Sequence, residues 1–140
     1  MKKKNMETIQ RTDDVKIMCV KAKTFPEGIK EAFDTLHSKF PNSDNRVYYG
    51  ISYMGEGDKI IYKAAIQELN DGEAQDLGLE EFTIVKGEYI SKRISNFMDN
   101  IPEIGNTFTE MFKDERIDRE NGVCVEEYSG NDVICSIKLK

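Results

Sequence analysis

The chain runs twice through the same order of patterns: a short β-branched run, an amphipathic helical stripe, and two further strand-like runs joined by a turn. In the first pass, Val15 to Ala22 has the character of a strand. Thr24-Phe25-Pro26-Glu27 then starts a helix, with proline near the first helical position and an acidic residue in the first turn. Ile29, Phe33, Leu36 and Phe40 follow at spacings of four, three and four, which is one helical face. Pro41-Asn42-Ser43-Asp44-Asn45 stops the helix with turn chemistry. Val47 to Met54 and Lys59 to Gln67 read as two strands, with Gly55-Glu56-Gly57-Asp58 as a hairpin loop.

A polar linker, Leu69 to Gly78, separates this half from a second one. Glu81 to Ile90 is a strand candidate, and Ile94, Phe97, Met98, Ile101, Ile104, Phe108, Met111 and Phe112 carry a helical period. Pro102 marks a break in that helix, with Asn100 capping its longer second segment. Val123 to Tyr128 and Val133 to Leu139 complete the pattern, joined by the turn Ser129-Gly130-Asn131-Asp132. Matching elements are offset by about 65 to 76 residues with little identity, so the repeat is one of pattern.

Half a chain of this size, with one helix, leaves one face of its strands poorly covered. Pairing the halves resolves this. The expected fold is α+β, a tandem strand-helix-strand-strand repeat: a mostly antiparallel sheet of about eight strands with helices on one face and a groove at the seam of the halves. The 140 residues then form a single domain with pseudo-repeats 13–68 and 80–140, and residues 1–12 are a flexible tail.

Composition limits the function classes. Twenty basic side chains against 26 acidic ones give a net charge of −6, which works against phosphate-backbone binding. The one basic run, Lys2-Lys3-Lys4, reads as a solvated tail. No apolar stretch approaches the length of a membrane span, and the start lacks the apolar region of a secretory signal, so a cytoplasmic location is the default expectation. Cys19, Cys124 and Cys135 show no paired spacing and lie in strand-like runs, where a free thiol packs as a small hydrophobe. No metal site and no cofactor are expected, and the lone His37 reads as an exposed or capping residue.

All six tyrosines, Tyr48, Tyr49, Tyr53, Tyr62, Tyr89 and Tyr128, fall in expected strands. Alternation puts Tyr49, Ile51 and Tyr53 on one face and Tyr48 on the other; the pair forms either an aromatic wall or part of the core. In Val123-Cys124-Val125-Glu126-Glu127-Tyr128, Cys124, Glu126 and Tyr128 share a face while Val123, Val125 and Glu127 share the other. One glutamate therefore points inward. A buried carboxylate is costly and recruits a cation, so aromatic rings around it would make a receptor for an amine, an amidine or a lipophilic cation. The alternatives are an ion pair with a Lys or Arg, or two exposed glutamates.

Glu81-Phe82-Thr83-Ile84-Val85-Lys86-Gly87-Glu88-Tyr89, the helix ending Thr107-Phe108-Thr109-Glu110-Met111-Phe112, and Val125-Glu126-Glu127-Tyr128 resemble the second half of the GyrI-like small-molecule-binding domain. This is the effector-binding domain of AraC-type and MerR-type multidrug-responsive regulators, built from a tandem SHS2-like repeat. Val47-Tyr48-Tyr49-Gly50-Ile51 is compatible with its first half, and the resemblance covers roughly residues 13 to 140. It implies a pocket for flat, hydrophobic, often cationic compounds. Its buried acidic residue maps onto Glu126, with Glu127 directed away, and its aromatic positions map onto Tyr49, Tyr53, Tyr89, Phe108, Phe112 and Tyr128. The helix position often held by tryptophan in the family corresponds to Phe108, and this chain has no tryptophan.

The regulators carry a helix-turn-helix ahead of this domain, whereas only about a dozen residues precede the first strand here. The expectation is a stand-alone, non-enzymatic binding module without direct nucleic acid contact, linked to transcription regulation or to multidrug or toxin sensing. Two alternatives accompany it: a gyrase-inhibitor-like protein that binds a DNA-handling enzyme or a separate regulator, and a small hydrolase using Glu126 as general base.

Overall fold

The computed structural model describes residues 6–42 and 45–140. The basic run Lys2-Lys3-Lys4 lies outside them, as do Ser43 and Asp44 of the expected turn. In chain order the elements are β1 (Glu7–Arg11), β2 (Val15–Lys21), α1 (Ile29–Lys39), β3 (Tyr48–Met54), β4 (Ile60–Gln67), α2 (Glu73–Asp76), β5 (Glu80–Ile84), β6 (Gly87–Ile94), α3 (Ile101–Met111), β7 (Cys124–Ser129) and β8 (Asp132–Lys138). Single 3₁₀ turns occupy Glu56–Asp58 and Phe97–Asp99. Residues 14–84 form one compact unit, and the described residues up to 13 with 85–140 form another. The expected α+β class with eight mostly antiparallel strands holds.

In the 14–84 unit the strands run β3-β4-β2-β5, each pairing antiparallel. The stripe read from sequence is the face by which α1 packs: Leu36 is fully buried, Phe40 and Ala32 nearly so, against Met18, Tyr62, Ala64 and Ile66 of the strands. Pro26 lies in the turn before α1, which begins at Ile29 after Gly28 N–H bonds to Thr24 O (3.1 Å) and Ile29 N–H to Pro26 O (3.2 Å). His37 is exposed in the last turn, as expected, with its ring 5.0 Å from that of Tyr48. The linker contains the short α2, anchored by Arg46, whose guanidinium meets the Glu73 carboxylate at 2.9 and 2.6 Å.

In the other unit the order is β1-β6-β8-β7, again antiparallel throughout. Helix α3 covers one face, burying Phe108 and Met111 against Ile90, Ile94, Val133, Cys135 and Ile137. Three sequence expectations need correction. Residues 7–11, assigned to a flexible tail, are strand β1, in register with β6 from Glu7 opposite Ser91 to Arg11 opposite Gly87. The run Glu81 to Ile90 is two strands in different units, broken where Gly87 adopts φ +138°; a side chain there would meet Lys138 Cε at 2.8 Å. The compact units therefore divide after Ile84, with β5 pairing to β2 and β1 to β6. Ile94 ends β6, and α3 starts only at Ile101, so Pro102 sits in the first helical turn instead of breaking a longer helix.

Candidate ligand-binding site

Strand β7 sets the site by alternation. Cys124 and Tyr128 belong to the core cluster under α3, and Glu126, at the alternate position that joins them, faces the same way. Its residue is 8% exposed, and its Oε1 accepts a hydrogen bond from the Tyr128 hydroxyl. Cys135 is directly opposite on β8, and Lys92 is opposite Cys135 on β6, so one row across the strands reads Lys92, Cys135, Glu126. Lys92 Nζ reaches the Glu103 carboxylate on α3 at 3.6 Å. The Cys135 thiol is held well above its ordinary pKa, first by burial and then by the neighbouring Glu126 carboxylate and Cys124 thiol. All three cysteines are free and buried, in agreement with their reading as small core residues.

Val125 and Glu127 point to the opposite face. There Arg11 Nη2 lies 3.3 Å from Glu127 Oε1 and 3.4 Å from Ser136 Oγ, and its guanidinium carbon sits 4.9 Å from the centre of the Tyr89 ring. The Tyr89 hydroxyl donates to Val85 O at 2.5 Å. Glu127 is thus neutralised by a cation that the sequence reading places in a tail. The signal for it is faint: Ile9 and Arg11 alternate with exposed Thr8 and Gln10.

The structure sorts the remaining expected site residues. Phe108 is buried in the α3 cluster that includes Cys124 and Tyr128, so it shares the interlayer of Glu126. Tyr89 is on the other face, away from Glu126, and Phe112 is 44% exposed beneath the Arg119 guanidinium. Tyr49 and Tyr53 belong to the 14–84 unit, on the face away from α1 that alternation predicts. Tyr49 is buried, and Tyr53 lies under Lys63 Nζ, 5.4 Å from its ring centre. Burial disfavours charge on Lys63, but its hydrogen bonds to Glu80 (2.5 Å) and Tyr53 outweigh this and raise its pKa. One further aromatic residue falls outside the expected set. Phe97, read as part of the helix, sits in the 3₁₀ turn and packs on Tyr128 at a ring-centre distance of 5.2 Å.

Among the described residues no group of three or more His, Cys, Asp or Glu side chains is placed to hold a metal ion, and no helix is long and apolar enough to cross a membrane. What the α3 interlayer offers is a buried acceptor, a phenol that orients it and aromatic surface around both.

No family model and no curated protein sequence matches the chain. Solved structures do. An integron cassette protein from the mobile metagenome of Vibrio cholerae, VCH_CASS2, superposes with a TM-score of 0.71 at 16% identity, covering 96% of this chain and 95% of that one. SAV2435, solved bound to tetraphenylphosphonium, gives 0.63 at 9% identity over 97% of this chain and 94% of that one. A protein described as a hydrolase from Listeria innocua gives 0.59 at 13% identity over 99% and 93%. At these identities the likeness is one of fold.

Proposed function

We propose that the chain is a small-molecule-binding domain of the GyrI-like kind, taking hydrophobic or cationic compounds, with Glu126 as its charge anchor. The observation that carries this reading is the 8% exposed Glu126 carboxylate, on the apolar α3 face and held by the Tyr128 hydroxyl. A desolvated carboxylate attracts a cation more strongly than one in water, and aromatic rings add attraction through their faces. The ligand class is supported by SAV2435, a protein of the same fold that binds a phosphonium carrying four phenyl rings. Tyr128 orients the carboxylate and Phe108 supplies apolar wall. Tyr49 and Tyr53 are the aromatic candidates of their own unit. A role in transcription regulation, or in sensing toxic compounds, follows from the sequence resemblance.

Calorimetric titration of tetraphenylphosphonium against wild type and Glu126→Gln tests the anchor. Loss of the charge at constant shape is expected to weaken binding by about tenfold or more, the scale of a charge contact partly withdrawn from water. Equal affinity would remove Glu126 from the site.

The Listeria innocua neighbour favours one second reading, a hydrolase in which Glu126 serves as general base on water. Turnover of a reactive small molecule that disappears in Glu126→Gln would favour it. Recovery of bound ligand chemically unchanged would favour the binding domain.

A further inference from the structure

The segment from Ser95 to Asn100 connects β6 to α3 and passes over the end of β7 that carries Tyr128. Its backbone is turned sharply by Asn96, a non-glycine residue at φ 49°. Two contacts pin it to the β7–β8 hairpin, Asn96 N–H to Asp132 Oδ1 at 3.3 Å and Phe97 N–H to Asn131 O at 3.0 Å, and next to it Arg93 of β6 meets the same Asp132 at 2.8 Å. The Asn96–Asp132 hydrogen bond is exposed and the Arg93 side chain of the adjoining ion pair is half exposed, interactions that net little in water. The side chain held down by them is Phe97, half-buried on Tyr128, which in turn binds Glu126. Outside, Met98 is 72% exposed and Ile101 49% exposed, an apolar threshold next to the turn.

We infer that the 95–100 turn is the gate of the Glu126 site, and that Phe97 is its specificity-determining residue, the ring that closes over an aromatic cation held by Glu126. This rests on the ligand-binding reading above and adds the route and the contacting ring. Lifting the turn gives up its two hydrogen bonds to the hairpin and the packing of Phe97 on the α3 cluster, and uncovers the ring of Tyr128, whose hydroxyl binds the carboxylate. An incoming aromatic cation meets Met98 and Ile101 first, apolar side chains that adapt to its surface. It then takes the position of Phe97 against Tyr128, or is covered by Phe97 in turn.

Because the chain has no tryptophan, one can be placed as a reporter. Phe97→Trp and Phe112→Trp, the second at an exposed site on the far end of α3, are titrated with tetraphenylphosphonium while calorimetry follows wild type, Phe97→Leu and Glu126→Gln. The expected result is a change in indole emission from the Phe97→Trp protein with the calorimetric midpoint, and no change from the Phe112→Trp protein. Affinity is expected to fall about three- to thirtyfold in Phe97→Leu, the span of one aromatic–cation contact. Thermal unfolding of Phe97→Leu near that of wild type would show that the loss is one of binding. Wild-type binding abolished by Glu126→Gln, with a silent reporter at position 97 and unchanged affinity in Phe97→Leu, would overturn the gate and leave the binding domain standing. No binding by wild type would overturn both.

Discussion

Glu126 and Glu127 are chemically identical and adjacent, yet strand alternation gives them different environments. Glu127 meets Arg11 on one face, whereas Glu126 faces α3 and accepts a hydrogen bond from the Tyr128 phenol. Arg46 and Glu73 form a third arrangement, a two-point ion pair with side chains 13% and 16% exposed. The Arg46 hydrogen bonds, reinforced by the Leu69 and Asn70 amides, outweigh burial and lower the Glu73 pKa to about 2. A carboxylate depressed in the folded state stabilises above its unfolded pKa, and that stability is lost as pH falls through the folded value. Glu73→Gln is therefore expected to cost about 1 to 3 kcal/mol at neutral pH, with the gap from wild type closing as pH falls from about 4 to 2. Urea titrations of both proteins across that range would check it; a constant gap would show that the pair's charge contributes nothing.

At the level of elements, legibility follows periodicity. The α1 stripe Ile29, Phe33, Leu36, Phe40 is readable because a single face supplies the burial, and β3, β4, β7 and β8 are readable because β-branched and aromatic residues alternate between turn signals. The β7 alternation also makes an inward Glu126 legible. Strand β1 is not: Glu7-Thr8-Ile9-Gln10-Arg11 offers one apolar residue, and the strand is fixed by backbone pairing to β6, which leaves no hydrophobic signature. The split at Gly87 is hidden because the flanking runs are equally strand-like, and only the backbone shows that Gly87 is obligatory. Gly87→Ala is expected to destabilise by about 1 to 3 kcal/mol, since φ +138° is a conformation that L side chains rarely adopt, while the flexible end of Lys138 can move aside. Chemical denaturation would measure this; a neutral effect would mean that the bend relaxes freely. Phe97 escapes recognition as a site residue because its spacing from Ile94 and Ile101 imitates a helix that the turn interrupts.

For the whole molecule, the three buried thiols report on opening. Cys19 is pushed up to about 12 by burial and by Glu80, Lys63 opposing, and Cys135 is raised as well, so neither is a reactive thiolate in the folded chain. Alkylation followed by mass spectrometry is expected to proceed only through unfolding events. A ligand confined to the folded state suppresses those events in proportion to its occupancy. At a tetraphenylphosphonium concentration about a hundred times the wild-type Kd, labelling should slow by about a hundredfold in wild type, and by about tenfold or less at the same concentration in Glu126→Gln. Labelling that ignores the cation in wild type would count against a ligand site in the folded protein.

Arg11 has one more consequence. From β1 its side chain crosses β6 and β8 to reach Glu127 on β7, so a single guanidinium acts as a tie-rod over the full width of a four-strand panel. One side chain from residues 7–11, unremarkable in composition, thus adds a polar link between β1 and the strand that carries Glu126, beside the backbone ladders that join each strand to the next.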